Sequence, residues 1–329
     1  MDETCPADWR PTASFDNLRR RAQVLAAIRA FFAARGVLEV ETPALCGAGT
    51  TDPALASLTT RYTGPGLPAG TRLFLQTSPE FAMKRLLAAG SGSIYQICKA
   101  FRDHERGGRH NPEFTLLEWY RIGFDHWQLM DEVEALLAAV LGNDPGPAPR
   151  WSYRELFLHH VATDPLTCAV PALAEGAVRL GVSVPAGMPD DDPDPWRDLL
   201  WTQVVEPRLP PGPAFVYDYP ASQAALARVR ADDPPVAERF ELYLDGVELA
   251  NGFHELSDPA EQRARFDRDA ARRSAAGLEP VPADGHLLAA LDHGLPDCAG
   301  VALGLDRLVM AAAAAPSIDA VVAFPVERA

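Results

Sequence analysis

FRDHERGGRHNPEFTLLEWY, residues 101–120, has cationic side chains on both sides of a Gly-Gly dipeptide and continues as an apolar run that includes glutamates. With the preceding segment SIYQICKAFR, this pattern predicts a long antiparallel hairpin. Alternation along the returning strand places four side chains on one face: Phe114, Leu116, Glu118 and Tyr120. This face offers an aromatic ring, a carboxylate and a phenol. Such groups suit a stacked base and a bound ammonium group.

The cations before and within the turn are Arg102, Arg106, Arg109 and His110. Forked guanidinium groups and point cations suit the oxygens of a polyphosphate. A solvated, charged turn on an amphipathic hairpin is the alternative, and it is the more common arrangement for a hairpin taken in isolation. The pattern alone leaves both interpretations open.

The composition is typical of a folded globular protein and argues against several classes. The chain has 329 residues, 47% of them hydrophobic and 23% charged. A net charge of −15 argues against a broad nucleic-acid surface, although a local basic patch remains compatible with it. No run approaches the roughly 18 apolar residues of a membrane span, and the N-terminus MDETCPADWR lacks the pattern of a signal peptide. We therefore expect a cytoplasmic protein.

Cysteine and histidine spacing gives no sign of a disulfide framework or of a zinc motif. No C-x-x-C occurs, so reduced thiols are expected. His159 and His160 are adjacent and cannot share one helix face as paired ligands would, so a surface or packing role is favoured. The cysteines are Cys5, Cys46, Cys98, Cys168 and Cys298.

The first third of the chain alternates helix and strand signals. A helical periodicity begins near Asp16, a plausible N-cap, and stops at Gly36. The segment VLEVETP then predicts a strand that Pro43 breaks. Residues 49–71, rich in Gly, Thr and Pro, should be mostly loop. The strand LFLQ and a helix with Pro79 at its first position follow.

The rest of the chain contains a second hairpin and a final strand–helix unit. A helix is expected around residues 127–141, and the Pro- and Asp-rich residues 143–213 are interpreted as an insertion into a single domain, residues 1–329. RFELYLDGVELANGF predicts a hairpin with the two-residue turn Asp245-Gly246. AGVALGLDRLVMAAAAA predicts a strand, then Gly304, then a helix.

The second hairpin brings two carboxylates together. Because of its two-residue turn, Tyr243 pairs with Glu248, and Glu241 and Glu248 become diagonal neighbours roughly 7–8 Å apart on one face. Two such carboxylates can share a cation; two exposed glutamates that repel weakly are the alternative. Alternation also puts three residues of ANGFHEL on one face: Asn251, Phe253 and Glu255.

Three segments resemble the signature motifs of class II aminoacyl-tRNA synthetases. R-x(7)-H-N-P-E-F-T-x-L-E, starting at Arg102, resembles motif 2 of the lysyl, aspartyl and asparaginyl branch. VLEVETP, with Pro43, resembles motif 1, and GVALGLDRL, with Arg307, resembles motif 3. They occur in the expected order over about residues 9–329. The resemblance implies an α+β fold, with an antiparallel sheet flanked by helices, and a homodimer formed through the motif 1 region.

The position of Arg307 at the start of a predicted helix is also unusual on physical grounds. A cation in the first turn of a helix opposes the helix dipole, so its presence there suggests an anionic ligand. A surface arginine is the alternative.

The resemblance implies a site for ATP, Mg²⁺ and an amino acid. Its catalytic residues would be Arg102 and Arg307. Its ATP-binding residues would be Arg102, Glu105, His110, Asn111, Phe114, Glu241, Leu242, Glu248 and Arg307, with Mg²⁺ held by Glu241 and Glu248. Its amino-acid-binding residues would be Ser78, Glu80, Glu118, Tyr120, Asn251, Glu255 and Ala302.

Within the amino-acid site, the resemblance assigns the side-chain ammonium to Glu255 and the other ammonium to Glu80 and Glu118. Several acids with little competing cation favour a diamino substrate.

The N-terminal segment has no room for an anticodon-binding barrel. The chain therefore resembles the free-standing paralogues of lysyl-tRNA synthetase, AMP-forming ligases that attach (R)-β-lysine or lysine to a lysine ε-amino group of elongation factor P. No tRNA or membrane partner is implied. Ala302 stands where lysyl-tRNA synthetases carry glycine, and its methyl group would trim the pocket in favour of an isomer whose ammonium is shifted by one carbon.

One residue departs from the family pattern, and two alternative functions remain open. Motif 2 usually starts F-R-N-E, whereas this chain has His104 in place of that glutamate, so Glu105, Asp103 or backbone contacts would replace it. The alternatives are a truncated lysyl-tRNA synthetase that charges tRNA and a non-catalytic paralogue that binds an amino acid or a protein as a regulatory subunit.

Overall fold

A computed structural model describes residues 9–142 and 147–329. The α-helices of this part of the chain are α1 (Phe15–Ala33), α2 (Glu80–Ala88), α3 (His126–Leu141), α4 (Tyr153–Val161), α5 (Val170–Arg179), α6 (Asp194–Leu200), α7 (Pro259–Ala275), α8 (Gly285–His293) and α9 (Leu305–Ala312). Among these helices, none combines the length and the apolar character needed to cross a membrane.

The strands form one large sheet and one small sheet. They are β1 (Leu38–Glu39), β2 (Leu45–Cys46), β3 (Thr59–Tyr62), β4 (Thr71–Leu75), β5 (Ile94–Phe101), β6 (Glu113–Ile122), β7 (Arg150–Ser152), β8 (Pro213–Pro220), β9 (Val229–Arg230), β10 (Val236–Leu244), β11 (Val247–His254) and β12 (Cys298–Gly304). The large sheet has the order β1-β5-β6-β12-β11-β10-β8-β7, with β9 beside β10. The small sheet has the order β2-β4-β3.

The predicted α+β class is confirmed. All contacts between the central strands β5, β6, β12, β11, β10 and β8 are antiparallel, whereas β1–β5 and β7–β8 at the two edges are parallel. Both predicted hairpins are present. In the first, Phe101 pairs with Glu113, and in the second, Leu244 pairs with Val247 across the two-residue turn.

Several predicted boundaries were wrong. Ser14, not Asp16, caps α1, because its hydroxyl accepts a hydrogen bond from the backbone N–H of Asn17. Only two residues of VLEVETP form a strand: Val40 still donates to the carbonyl of Tyr95, but Pro43 has no N–H with which to continue. Residues 49–71 are mostly loop, as expected, although the β-prone segment TTRY within them forms β3 and pairs with β4.

The segment interpreted as an insertion is only partly described, since residues 143–146 lie outside the described residues. Its described part contains α4, α5 and α6 and builds an apolar cluster with Tyr153, Phe157, Leu173, Leu200 and Trp201. Val216 of β8 and Tyr243 of β10 belong to the same cluster. The segment therefore packs on the large sheet. That it is an insertion into a single domain stays a prediction.

One face of the large sheet is apolar and supports the main core. Helices α1, α3 and α9 cover this face, where Phe32 and Trp119 meet at 5.4 Å between ring centroids. Leu117 and Trp119 of β6 and Leu303 of β12 point into this core and are fully buried. The residues between them point to the opposite face. Strand alternation thus leaves the other face of the same strands free for polar side chains.

A buried polar link joins α9 to the hairpin β5–β6 and to α1. The carboxylate of Asp306, 2% exposed, accepts the backbone N–H of Thr115 at 2.7 Å and pairs with Arg21 at 2.5 Å. Arg21 also donates to the hydroxyl of Thr115 at 2.7 Å. The three elements are therefore held together by one carboxylate, next to Arg307 and the motif 2 strand.

We expect Asp306→Asn to lower the free energy of unfolding by about 3 kcal/mol, because an amide cannot accept from Thr115 and also neutralise Arg21. Equilibrium unfolding in urea measures the change. The matched control is Asp16→Asn, which removes an exposed pair with Arg19 at 2.7 Å and should have little effect. Equal unfolding curves for the two variants would contradict this account.

Candidate active site

A deep cleft opens on the face of the large sheet that α1, α3 and α9 leave uncovered. Strands β6, β10, β11 and β12 form its floor, and residues of loop 43–55 and of α7 form part of its wall. Most residues that the sequence assigns to ATP or amino-acid binding line this cleft: Ser78, Glu80, Arg102, Glu105, His110, Asn111, Phe114, Glu118, Tyr120, Glu241, Glu248, Asn251, Glu255, Ala302 and Arg307.

Leu242 is the exception. It is fully buried in the main core on the opposite face of β10, so its side chain does not reach the cleft. Asn111 lies at the rim, but its amide is already engaged: it donates to the carbonyl of Glu113 and accepts the backbone N–H of Val326. It therefore anchors the C-terminal segment. A role for Leu242 or Asn111 in ATP binding stays a prediction.

At one end of the cleft, Arg102 lies over an aromatic ring. Its guanidinium carbon is 5.0 Å from the ring centroid of Phe114. One of its Nη atoms is 3.6 Å from Oε1 of Glu105. The Nε atom of Arg102 is buried and has no hydrogen-bond partner among the described residues. A cation beside an aromatic plane is a suitable place for a nucleotide, with the base on the ring and phosphate on the guanidinium.

Arg307 and His110 contact each other at this end. One Nη atom of Arg307 lies 2.7 Å from Nε2 of His110, and the other donates to the carbonyl of Glu248 at 2.5 Å. Burial and the neighbouring guanidinium lower the pKa of His110. The imidazole is therefore neutral and can accept the hydrogen bond from Arg307.

Arg106 does not belong to this group. It turns away from the cleft and pairs with Glu327 at 2.5 Å and Asp319 at 3.0 Å. The cations of the turn thus divide into those that line the cleft and one that fastens the turn to the C-terminal segment.

The position of His104 is explained by the backbone of the turn. His104 has φ +65° and its side chain is 85% exposed, whereas the next residue, Glu105, lines the cleft beside Arg102. With the left-handed backbone at this position, His104 is exposed and Glu105 lines the cleft. That Glu105 takes the part of the glutamate that is usual one position earlier stays a prediction.

Glu241 and Glu248 both line the cleft, and Tyr243 pairs with Glu248 as predicted. The hairpin also contains a β-bulge, which the sequence did not reveal: Leu242 pairs with Ala250, so Leu249 is the extra residue. Glu248 and Asn251 are an odd number of residues apart and would face opposite sides of a regular strand. The bulge brings both to the cleft.

The carboxylates of Glu241 and Glu248 differ in their surroundings. Glu241 accepts hydrogen bonds from the hydroxyls of Tyr219 at 2.7 Å and Tyr243 at 2.6 Å and is ion-paired with Arg239. The side chain of Glu248 is 45% accessible from the cleft and lies 4.0 Å from Arg307; its enclosure within the cleft, together with the charge of Glu241, raises its pKa to about 7. An accessible carboxylate next to a second one offers hard oxygen ligands. This donor set fits Mg²⁺ held jointly with phosphate oxygens.

The other end of the cleft holds an acidic pocket. Glu118, 2% exposed, accepts hydrogen bonds from the hydroxyls of Ser78 at 2.8 Å and Tyr120 at 2.7 Å. Burial and the charge of Glu80 raise the pKa of Glu118 to about 8. The pocket therefore favours a ligand that brings positive charge to Glu118.

The sequence analysis missed a cation in this pocket. Lys84, 1% exposed, pairs with Glu80 at 2.7 Å and with Glu255 at 2.6 Å. Burial opposes its charge, but the two carboxylates outweigh that effect and raise its pKa. The expectation of little competing cation was wrong in this respect. A signal was available, because Lys84 is four residues after Glu80 and is one of two lysines among 30 basic residues.

Two small residues of β12 make room in the pocket. A Cβ atom on Gly300 would lie 2.3 Å from the ring of Tyr120 and 2.5 Å from Oε1 of Glu255, so only glycine fits there. Ala302 lies between Glu118 and Asn251 on the neighbouring strands. The buried side-chain oxygen of Asn251 has no partner among the described residues. The sequence named Ala302 and Asn251 but not Gly300.

Comparison with known proteins agrees with this geometry. Residues 6–328 match the family described as tRNA synthetases class II (D, K and N). The chain is 56% identical over 324 residues to the elongation factor P–(R)-β-lysine ligase of Vibrio cholerae serotype O1, covering 98% of this chain and 99% of that protein. It is 55% identical over 320 residues to the ligase of the same name from Vibrio vulnificus (97% and 98% covered). It is 52% identical over 330 residues to that from Salmonella typhi (100% of both).

The raised pKa of Glu118 predicts a pH dependence of stability. Between its ordinary pKa of 4.5 and about 8, the folded protein binds a proton that the unfolded chain releases. The free energy of unfolding therefore falls as pH rises through this window, by up to about 1.4 kcal/mol per pH unit. We expect Glu118→Gln to reduce this slope, measured by urea unfolding at a series of pH values.

The control for this experiment is Glu113→Gln, on the same strand but half exposed and paired with Lys99. It should leave the slope unchanged. A Glu118→Gln slope identical to that of the unmodified protein would show that Glu118 is ionised throughout the window.

Proposed function

Because the chain belongs to the class II tRNA synthetase family of the D, K and N type, we propose that it activates (R)-β-lysine with ATP and transfers it to a lysine ε-amino group of elongation factor P. The chain is an ATP-dependent ligase built on the class II synthetase fold. The relatives, by name, act on elongation factor P and on (R)-β-lysine. The observation that carries the proposal is one cleft with a cationic nucleotide end and an acidic amino-acid end.

The charges of the acidic end support a diamino substrate. Three carboxyl groups, Glu80, Glu118 and Glu255, line it; the ammonium of Lys84 pairs with Glu80 and Glu255, and Glu118 has no cationic partner in the described part of the chain. A diamino acid brings two ammonium groups, which would restore balance. An acidic substrate such as aspartate would add negative charge to a pocket that already has too much.

In the proposed first step, the substrate carboxylate attacks the α-phosphorus of ATP, and pyrophosphate leaves with the bond electrons. Arg102 grips the α-phosphate and stabilises the charge that develops on it, while Arg307 and His110 face the outer phosphates. Phe114 stacks on adenine. Glu105, paired with Arg102, keeps the guanidinium oriented.

Mg²⁺ on the ATP would be held by Glu248 and Glu241, where it would neutralise phosphate charge. The two glutamates differ in availability, since Glu241 is already bound by Arg239 and two tyrosines. Glu248 therefore supplies the freer carboxylate.

In the second step, a lysine ε-amine of elongation factor P attacks the activated carbonyl, an amide bond forms and AMP leaves. Glu118, Glu80 and Glu255 hold the bound amino acid through its ammonium groups, so its carbonyl stays beside Arg102 during both steps. Binding and electrostatic positioning carry this chemistry, and the enzyme forms no covalent intermediate with the substrate.

We further propose a homodimer formed through the motif 1 region, in the cytoplasm where the acceptor protein works. Leu38 in the edge strand β1 is 54% exposed, and Leu45 in β2 is 48% exposed. Large apolar side chains at the open edge of a sheet are suited to pairing with a second copy.

The test combines amino-acid-dependent ATP–pyrophosphate exchange with transfer of labelled (R)-β-lysine to elongation factor P and, separately, to tRNA. We expect exchange and transfer to the protein but not to tRNA. Arg102→Ala should lower the exchange rate by about 10²–10³-fold. Arg106→Ala, on the same turn but outside the cleft, should retain it.

Strong charging of tRNA would instead identify a truncated lysyl-tRNA synthetase. Absence of exchange with every lysine isomer would favour a binding protein without catalytic activity.

The methyl group of Ala302 should contribute to the choice of isomer. We expect Ala302→Gly to lower the preference for (R)-β-lysine over α-lysine by about tenfold, expressed as the ratio of the two kcat/KM values. The effect is modest because the loss of one methyl group enlarges the pocket only slightly. Ala299→Gly, on the same strand but facing the core, is the control for a loosened strand. The same change of ratio in both variants would contradict a role for pocket size.

A further inference from the structure

A second cluster of potential ligands lies on the other face of the sheet, behind the acidic pocket. His126 at the start of α3, Glu238 of β10 and His254 of β11 each offer one nitrogen or oxygen atom, and these atoms lie within 4.8 Å of one another. His254 directly precedes Glu255, and because side chains alternate along a strand, the two residues face opposite sides of the sheet. The cluster is therefore separate from the cleft.

His126 is the unusual member. It is 2% exposed, and neither ring nitrogen has a hydrogen-bond partner among the described residues. A buried imidazole with two unused polar atoms costs free energy, and native proteins keep such a group where a further ligand uses it.

His254 is oriented by carboxylates at both nitrogens. Its Nδ1 lies 2.6 Å from Oε2 of Glu238, and its Nε2 lies 3.0 Å from Oδ1 of Asp297. Asp297 is held in turn by Arg228 at 2.6 Å. A carboxylate that accepts the far N–H of an imidazole fixes the tautomer and directs the other nitrogen to a metal. Here Asp297 lies at Nε2, while Nδ1 and the carboxylate of Glu238 lie 2.6 Å apart, a separation at which a proton or a cation must bridge the two atoms.

We propose that His126, Glu238 and His254 bind one divalent transition-metal ion of the Zn²⁺ type, with water as the remaining ligand. Two imidazoles and one carboxylate are a ligand set that proteins use for Zn²⁺.

The spacing of the atoms is close to that of a tetrahedral site. With bonds of about 2.0–2.1 Å, ligand atoms lie about 3.3 Å apart. The widest separation of 4.8 Å would close by about 1.5 Å, and the His254–Glu238 pair at 2.6 Å would open by about 0.7 Å. Binding of the ion would require side-chain movements of this size.

The surrounding charges are compatible with a cation. Arg230 lies 3.8 Å from Glu238, but it is engaged by Asp218 and by Asp232, both at 2.8 Å. The carboxylate of Glu238 is thus only weakly paired with Arg230.

The ion would be structural. It would fasten the first turn of α3 to β10 and β11, and it would hold the backbone of β11 immediately before Glu255. No residue of the cluster faces the cleft, so the ion would take no part in the transfer reaction.

The experiment uses full-length protein without a histidine tag. The protein is treated with a chelator, titrated with Zn²⁺ and analysed for bound metal and for Tm. We expect about one ion per chain and a Tm that rises with Zn²⁺ concentration, because a ligand that binds only the folded state stabilises it. With Co²⁺ in place of Zn²⁺, the visible spectrum should show nitrogen and oxygen ligation without a thiolate charge-transfer band.

Two variants and one control identify the ligands. His126→Ala should abolish the stoichiometric ion. Asp297→Asn keeps all three ligands and alters an exposed carboxylate, so the chain should fold, and we expect its affinity for Zn²⁺ to fall by about 10–100-fold. His293→Ala removes an exposed histidine at the end of α8 and should change nothing.

The proposal is overturned if the unmodified protein shows no saturable binding of Zn²⁺. It is equally overturned if His126→Ala and Asp297→Asn bind Zn²⁺ as the control does. Either result would leave the proposed ligase activity untouched, because that activity is measured by a separate assay.

Discussion

The charge balance around Lys84 is the interaction on which the acidic end of the cleft depends. Three glutamates lie in or beside this pocket, Glu118 and Glu255 are each 2% exposed, and isolated buried carboxylates are costly. The ammonium of Lys84 satisfies Glu80 and Glu255 from one position, at 2.7 and 2.6 Å. Among the described residues Glu118 receives hydroxyl donors, from Ser78 and Tyr120, and no cation, and burial together with the charge of Glu80 raises its pKa to about 8. The folded chain is therefore under electrostatic strain at the place where an ammonium group would relieve it.

The geometry of the strands determines how much space is available to the charged side chains of the acidic pocket. The central strands bury alternate side chains in the main core, which fixes the opposite set toward the cleft. Gly300 leaves room for Tyr120 and Glu255 to meet above β12, and Ala302 keeps the adjacent position small. The bulge at Leu249 then brings Glu248 to the same side as Asn251. The nucleotide end and the amino-acid end thus share one surface because of three local features of β11 and β12.

Much of this could be predicted from the sequence, because hairpins, turns and motif order are local properties. The pairing of Tyr243 with Glu248 followed from a two-residue turn alone. What the sequence could not give depends on contacts between distant segments. The orientation of Arg106 is set by Glu327, and the fully buried position of Leu242 is set by core packing against other strands. Most residues named from the motif resemblance line the cleft, but the resemblance did not supply the internal cation, Lys84, that balances the glutamates.

The strand β11 links the two faces of the sheet in a way that constrains both. His254 and Glu255 are consecutive, so the contacts that fix the ring of His254 also limit where the carboxylate of Glu255 can lie. His254 is held between Glu238 and Asp297, and Glu255 is held by Lys84. A strand fixed at two adjacent residues from opposite sides has little freedom to slide. The acidic pocket can therefore keep its carboxylates close together in spite of their repulsion, since the backbone that carries Glu255 is anchored from behind.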